Sequence, residues 1–238
     1  MTTLRRYYDA EYAGQSAAQV GLTRVTQHPC DRHEAVVKLA WPGGDTLLEV
    51  GAGPGLVLRT LRPRYRRCVA TELSHSAATC LRELFREDSM VEIHEGPIED
   101  GLPSDTRFDT VILNAVIEHL VDPLRTVKML SDRLTPQGRL IITTPNLAKW
   151  TRRTKLALGR FPSTASRNEG LTTYDGVPAQ LYDEGHLHYF TFRSLTLVLK
   201  ERCGLASVEW FGFPGRAARL WPTLFSTDVC VTAGREST

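Results

Sequence analysis

Two periods of apolar positions alternate along the chain, and the switches between them predict its elements. Thr46–Val50 is a short apolar run closed by Gly51, the pattern of a strand buried on both faces. The pattern returns over Cys68–Glu72, more weakly over Val91–His94, and again over Phe108–Leu113 and Arg139–Thr144. Between these runs the apolar residues fall at helical spacing. A stretch from Pro29 to Trp41 places Ala35, Val36, Leu39 and Ala40 on one side. Leu56–Leu61 is a helix stopped near Pro63, and Ser74 N-caps another that runs to about Arg86. Leu124–Leu134 is helical until Pro136-Gln137-Gly138 breaks it. Arg193–Cys203 forms a further helix ending at Gly204, and Ala206–Phe211 and Thr227–Thr232 are two last strands. Strands alternating with helices predict an α/β fold: a doubly wound, seven-stranded, mostly parallel sheet with helices on both faces and an antiparallel last strand. The whole chain, 1–238, is expected to be one domain. Residues 1–45 are expected to be an amino-terminal helical cap, and 147–190 an insertion over the substrate.

Composition adds limits. With 238 residues, 42% hydrophobic and 24% charged, the chain can bury a core without disulfide or metal staples. No apolar run approaches the ~20 residues that span a bilayer, and the opening residues lack the apolar core of a signal peptide. A cytoplasmic location is therefore expected. The five cysteines are scattered without a CxxC pair, which points to reduced thiols and no zinc site. A metal held by Asp183, His186 and His188 is weighed and set aside, so no metal is expected. A net charge of +2 does not argue for nucleic acid.

The most informative stretch is Leu48-Glu49-Val50-Gly51-Ala52-Gly53-Pro54-Gly55, after a strand and before a helix. Alternate glycines let the backbone turn sharply and let a ligand lie against it. Glu72 ends the next strand about 20 residues on, where a carboxylate can accept both hydroxyls of a ribose. A dinucleotide fingerprint would require glycine at Leu56, and a pyrophosphate would be badly placed beside Glu49. A sulfonium cofactor with a cationic amino group would not be.

This stretch resembles the first signature motif of class I methyltransferases. The likeness continues through Phe108-Asp109, Ile117-Glu118-His119-Leu120-Val121-Asp122-Pro123, Leu134–Leu140 and Thr144-Pro145-Asn146. The succession is similar to the small-molecule group that includes the ubiquinone-biosynthesis O-methyltransferases. The resemblance implies a Rossmann-like enzyme using S-adenosyl-L-methionine. It implies Gly51, Ala52, Gly53 and Gly55 along the methionine portion, Glu49 near its amino group, and Glu72 and Leu73 at the ribose. Ile98 and Glu99 would meet the adenine, with Asn114 beside the methionine tail. Pro97 stands where many relatives carry an acid for the adenine amine, so either Glu99, Asp100 or a backbone carbonyl serves instead or the contact is missing. In relatives an aromatic amino-terminal segment folds over the cofactor, which brings in Tyr8, with Tyr7 and Tyr12. A tyrosine face attracts a sulfonium.

Methyl transfer to a hydroxyl also needs a base. Of the seven histidines, His28, His33 and His75 are read as ordinary surface residues. His119 follows the fourth strand at the ligand-binding edge. His186 and His188 lie in a segment resembling the one relatives close over the acceptor, so His186, His119 and nearby Tyr182 are the catalytic candidates. Asp109 and Glu118 are read as structural. The long connection Leu147–Leu181 argues for a functional cap. It carries Lys149, Arg152, Arg153, Lys155, Arg160 and Arg167, read either as the solvated side of an amphipathic helix or as cations for an anionic or carrier-bound acceptor. The expected function is methylation of a hydroxyl on a small metabolite. The alternatives are an N-methyltransferase on an amine or amino sugar, and a nucleic-acid or protein methyltransferase.

Overall fold

The computed structural model describes residues 2–100, 102, 105–165 and 182–235. In chain order these form α1 (Thr2–Glu11), α2 (Arg32–Ala40), β1 (Gly44–Val50), α3 (Leu56–Leu61), β2 (Tyr65–Glu72), α4 (His75–Leu84) and β3 (Val91–Glu95). Then come β4 (Phe108–Asn114), α5 (Pro123–Asp132), β5 (Leu134–Pro145), α6 (Trp150–Ala157), α7 (Phe192–Cys203), β6 (Ser207–Trp210), α8 (Gly215–Leu220), α9 (Pro222–Phe225) and β7 (Asp228–Gly234). The seven strands make one sheet in the order β3-β2-β1-β4-β5-β7-β6. The first five are mutually parallel, and β7 runs antiparallel to both β5 and β6. The expected sheet and its antiparallel last strand are both present.

Alternation along the strands explains the two layers of helices. Leu48, Val111, Leu140 and Ile142 face a core shared with Val127 and Leu130 of α5 and Leu195 and Leu199 of α7. Their neighbours Leu47, Ile112 and Ile141 face the opposite core, shared with Val36 and Val37 of α2, Leu58 of α3 and Leu81 of α4. Successive side chains point to opposite faces of a strand, so a run that is apolar at every position must be covered twice. Each such leucine fully withdrawn from water contributes roughly 1.5–3 kcal/mol.

Register sets the site. Val50 lies level with Thr71 of β2 and Leu113 of β4. The residues that follow, Gly51, Glu72 and Asn114, therefore leave the sheet side by side at its carboxyl edge, where ligands bind in such sheets.

Three boundaries depart from the sequence pattern. β5 begins at Leu134 rather than Arg139, because Phe108 pairs with Leu134 and the register then shifts before Thr110 pairs with Arg139. The turn residues Pro136-Gln137-Gly138 are thus absorbed in an irregular strand, and α5 stops at Asp132. Within 1–45, α2 is buried against the sheet, whereas α1 lies over the carboxyl edge.

The third departure is α6, where the expected orientation is reversed. Arg152 and Lys155 are 1% exposed, while Leu156 and Leu158 are each 65% exposed. The Arg152 guanidinium accounts for this inward face by donating to the carbonyl oxygens of Asn146, Ser163 and Thr227. Arg167 and the remainder of 166–181 lie outside the described residues.

Candidate active site

A cleft of about 780 Å³ opens at the carboxyl edge of β1, β2 and β4. Its floor is the turn after β1. Gly51 and Ala52 both donate their N–H to the Thr71 carbonyl, which binds the turn to β2. Gly53 has a φ of +54°, and a Cβ there would come 3.3 Å from the Tyr12 hydroxyl, so glycine keeps this part of the cleft open. Gly55 is different. A Cβ there would lie 2.7 Å from Leu81 and 3.0 Å from Leu84, and Gly55 does not line the cleft. The structure assigns it to the packing of the turn against α4, a correction to the ligand contact expected for it.

Glu72 is 6% exposed and lines the cleft. One carboxylate oxygen accepts from Gly53 N–H at 2.7 Å and the other from Ser74 N–H at 2.8 Å. These bonds favour the ionised form, yet burial outweighs them and raises its pKa. Glu49 is 2% exposed, and its Oε2 has no hydrogen-bond partner. Burial, then the neighbouring Glu72 charge, pushes its pKa up to about 8. Two buried carboxyl groups, one with an unsatisfied oxygen, therefore face a shared opening.

Ala52, Leu73, Ile98, Glu99 and Asn114 also line it. Ile98 is buried at 4% exposure. Glu99 accepts from Val121 N–H at 3.3 Å, while Asp100 is not a lining residue. Asn114 accepts through Oδ1 from the Thr143 hydroxyl at 2.7 Å, and Thr143 Oγ1 accepts in turn from Ala115 N–H. α1 closes one side with the rings of Tyr8 and Tyr12, stacked at 6.2 Å between centroids. It is held there by Asp9, which accepts from Ser74 Oγ and Ser76 N–H, and by an ion pair from Arg5 to Glu95.

The cleft also gathers histidines. His119 and His186 have ring centroids 4.8 Å apart. His119 Nδ1 lies 3.2 Å from the Gly185 carbonyl, which can only accept, so Nδ1 carries the proton and Nε2 accepts from the Tyr8 hydroxyl at 3.1 Å. Burial, then the neighbouring His186, depresses the His119 pKa to about 4. Thr164 Oγ1 donates to Asp183 Oδ2 at 2.9 Å and must therefore accept from His186 Nδ1–H at 2.6 Å. Burial also lowers the His186 pKa. Both rings donate through Nδ1, which leaves Nε2 of each as the acceptor nitrogen, and burial disfavours the charged form of both. The Tyr182 backbone begins the 182–185 turn, but its side chain lies outside the described residues. Asp183 is committed to Ser163, Thr164, Ala165 and Tyr189.

Glu118 stands beside the histidines at 1% exposure, its pKa raised by burial to about 7. The Thr144 hydroxyl is near enough to favour its ionised form, but the distances and angles give neither carboxylate oxygen a hydrogen bond. The Thr144 hydroxyl is itself buried without a hydrogen-bond partner among the described residues. Asp109, by contrast, binds Asp45, Thr46 and Thr135 at the opposite end of the strands.

His33 is also corrected: it lines the cleft, and burial lowers its pKa. Arg32 and Thr164 join the lining without having been expected there, and Arg152 lines it as one of the cations weighed for an anionic acceptor. Position next to the N-cap Asp31 at the start of α2 is the one local signal for Arg32 and His33. Nothing local marks Thr164.

A family model described as a methyltransferase domain matches residues 23–209. The chain belongs to this methyltransferase-domain family. The methyltransferase is 38% identical over 119 residues to a probable non-canonical nonribosomal peptide synthetase, CymA, of Salinispora arenicola, covering 47% of this chain and 2% of that protein. It is 26% identical over 105 residues to a ubiquinone biosynthesis O-methyltransferase of Aromatoleum aromaticum, covering 43% and 45% of the two chains. The match thus spans under half the length of either relative. In fold it is similar to the N-methyltransferase NodS from Bradyrhizobium japonicum WM9, solved with S-adenosyl-L-homocysteine, at a TM-score of 0.59 and 16% identity over 97% of this chain and 96% of that one. The methyltransferase-domain family and the Rossmann-like sheet are thus borne out. No helix among the described residues is long and apolar enough to cross a membrane.

Proposed function

We propose that this methyltransferase transfers the methyl group of S-adenosyl-L-methionine to a hydroxyl of a small acceptor held at His119 and His186. The observation that carries the hydroxyl reading is the pair of buried imidazoles in the cleft that donate through Nδ1 and so leave Nε2 as an acceptor. An amine acceptor is already nucleophilic and needs no such group.

Other residues of the cleft fit the cofactor. Glu49 Oε2, buried and unpartnered, suits an ammonium group, and the open turn at Gly53 suits the methionine chain. The Glu72 carboxylate is held by Gly53 and Ser74, and its remaining lone pairs suit two ribose hydroxyls. Ile98 offers an apolar wall to the adenine, and Glu99 is the nearest acid in place of Pro97. Bound there, the cofactor supplies a methyl group on a good leaving group. The protein's own work is to bring the acceptor oxygen into line and to accommodate its proton. His186 Nε2 is the better placed base, because Thr164 and Asp183 fix its tautomer. Arg32 lines the same cleft, which favours an anionic or carrier-bound acceptor.

Calorimetry with S-adenosylhomocysteine and with NADH tests the cofactor assignment: the first is expected to bind and the second not. For the acceptor, hydroxylated and amino metabolites are compared as substrates with the parent and with His186→Ala. Transfer to a hydroxyl that falls by about 10²-fold or more in the variant supports the reading. Transfer to amines alone, or a variant at full rate, overturns it.

A further inference from the structure

We propose that Glu118, His119 and His186 form a binding site for one divalent transition-metal cation. Ligand atoms of the three lie within 4.8 Å of one another. Three features point to a cation. The first is Glu118, 1% exposed, whose carboxylate oxygens both lack a hydrogen-bond partner among the described residues. A buried carboxyl left so costs free energy that a cation would recover.

The second is the pair of supports behind the rings. Ligating histidines characteristically donate their other N–H to a carbonyl or carboxylate, which fixes the tautomer and strengthens the ligand. His119 donates through Nδ1 to the Gly185 carbonyl, and His186 through Nδ1 to Thr164 Oγ1, which is bonded to Asp183. In both rings the lone pair that remains is on Nε2. The third is access, since all three residues line the cleft. Two imidazoles and one carboxylate with open positions suit first-row cations such as Mn(II), Fe(II), Co(II) or Zn(II). The sequence points away from a metal because closely spaced ligand pairs are absent. The fold instead joins the adjacent Glu118 and His119 to a distant loop, through backbone bonds from Leu187 and His188 to the Glu118 carbonyl.

The role of the cation rests on the hydroxyl-acceptor reading. The acceptor oxygen would take an open coordination position, where its pKa falls as that of bound water does. Its proton leaves to solvent, the O–C bond forms as the C–S bond breaks, and the thioether departs. With a cation bound, the imidazoles are ligands and no longer the base. Tyr8 competes for His119 Nε2, and the Arg32 charge opposes the cation.

The full chain, stripped with chelator and dialysed, is titrated with Co(II) and followed by its visible ligand-field bands. One equivalent is expected to bind. Glu118→Gln and His186→Ala are each expected to weaken binding about tenfold or more, and Tyr8→Phe to tighten it. S-adenosylhomocysteine affinity in the same samples reports folding and the cofactor site separately. If the parent binds S-adenosylhomocysteine but no Co(II), or if the bands survive both ligand substitutions, the proposal fails. If Co(II) binds and S-adenosylhomocysteine does not, the cofactor reading fails and the metal site stands. Should the ligand variants misfold, Thr164→Val keeps all three ligands and removes the support of His186 Nδ1, together with one hydrogen bond to Asp183. It is expected to weaken Co(II) about 10- to 100-fold, and unchanged affinity there overturns the proposal.

Discussion

The Tyr8 hydroxyl lies 3.1 Å from His119 Nε2, a bond between residues 111 positions apart. His119 Nδ1–H is meanwhile given to Gly185, so a single imidazole joins α1, the turn after β4 and the 182–185 turn. Tyr8→Phe removes the one bond and keeps the ring stacked on Tyr12. A neutral hydrogen bond contributes about 0.5–1.5 kcal/mol net. In a chain of this length each kcal/mol moves Tm by about 2–4 °C. Calorimetric melts of the variant are therefore expected to fall by a few degrees, and an unchanged Tm would show that the bond contributes nothing.

Glu49 provides a pH prediction. Its pKa in the folded protein is raised to about 8, above the ordinary carboxyl value in the unfolded chain. A raised value means that the folded state holds the proton more tightly, so its contribution to stability is complete below the ordinary value. That contribution is lost as pH rises toward 8. The slope for one proton is at most about 1.4 kcal/mol per pH unit. Melts of the ligand-free protein from pH 5 to 9 are expected to fall with pH, and less steeply in Glu49→Gln. Binding an ammonium-bearing ligand favours the carboxylate, so S-adenosylhomocysteine is expected to release a proton at pH 7. Calorimetry in buffers of different ionisation enthalpy measures it, and identical heats in all buffers would contradict the prediction.

Gly53 and Gly55 separate binding from packing. Both have positive φ, which costs an L-residue about 1–2 kcal/mol. At Gly53 the added methyl would face the cleft near Tyr12, whereas at Gly55 it would strike Leu81 and Leu84. Gly55→Ala is therefore expected to lose a further 1–3 kcal/mol or so of stability through overpacking. Gly53→Ala is expected to lose less stability and more S-adenosylhomocysteine affinity. Urea unfolding and calorimetry on both variants check this, and the reverse ranking would refute it.

The carboxyl edge of the sheet, where the cofactor is proposed to bind, was legible in the sequence because its determinants are local. Glu49, Gly51, Gly53 and Glu72 sit at strand ends, and runs such as Leu47-Leu48 announce those strands through their apolar continuity. The sheet register then brings the ends together without further information. Gly55 was misread because turn and ligand contact ask for the same residue, and only the position of Leu81 distinguishes them. The acceptor end depends on segments far apart. Arg152 is buried by carbonyls from three stretches of chain, and Thr164 meets His186 only after the 182–185 turn forms. Glu118 looked structural from its motif, and its missing partners are visible only in three dimensions.

Glu72 offers the sharpest test of the cofactor end, because its two oxygens already serve the backbone. Glu72→Gln keeps the shape but replaces one acceptor by an amide donor, which must face either Gly53 N–H or Ser74 N–H. One backbone donor is then left opposite another donor, and a hydroxyl hydrogen-bonded to the carboxylate loses a charged partner. Hydrogen bonds to charged groups contribute about 1.5–3 kcal/mol, a factor of roughly 10 to 150 in affinity. Burial opposes the charge of Glu72, so the neutral amide recovers desolvation free energy and offsets part of the lost bonding in the ligand-free fold. Calorimetry is thus expected to show S-adenosylhomocysteine binding weakened by at least tenfold, with a smaller change in Tm. Affinity within twofold of the parent would mean that this carboxylate serves the turn alone and that the ribose is held elsewhere.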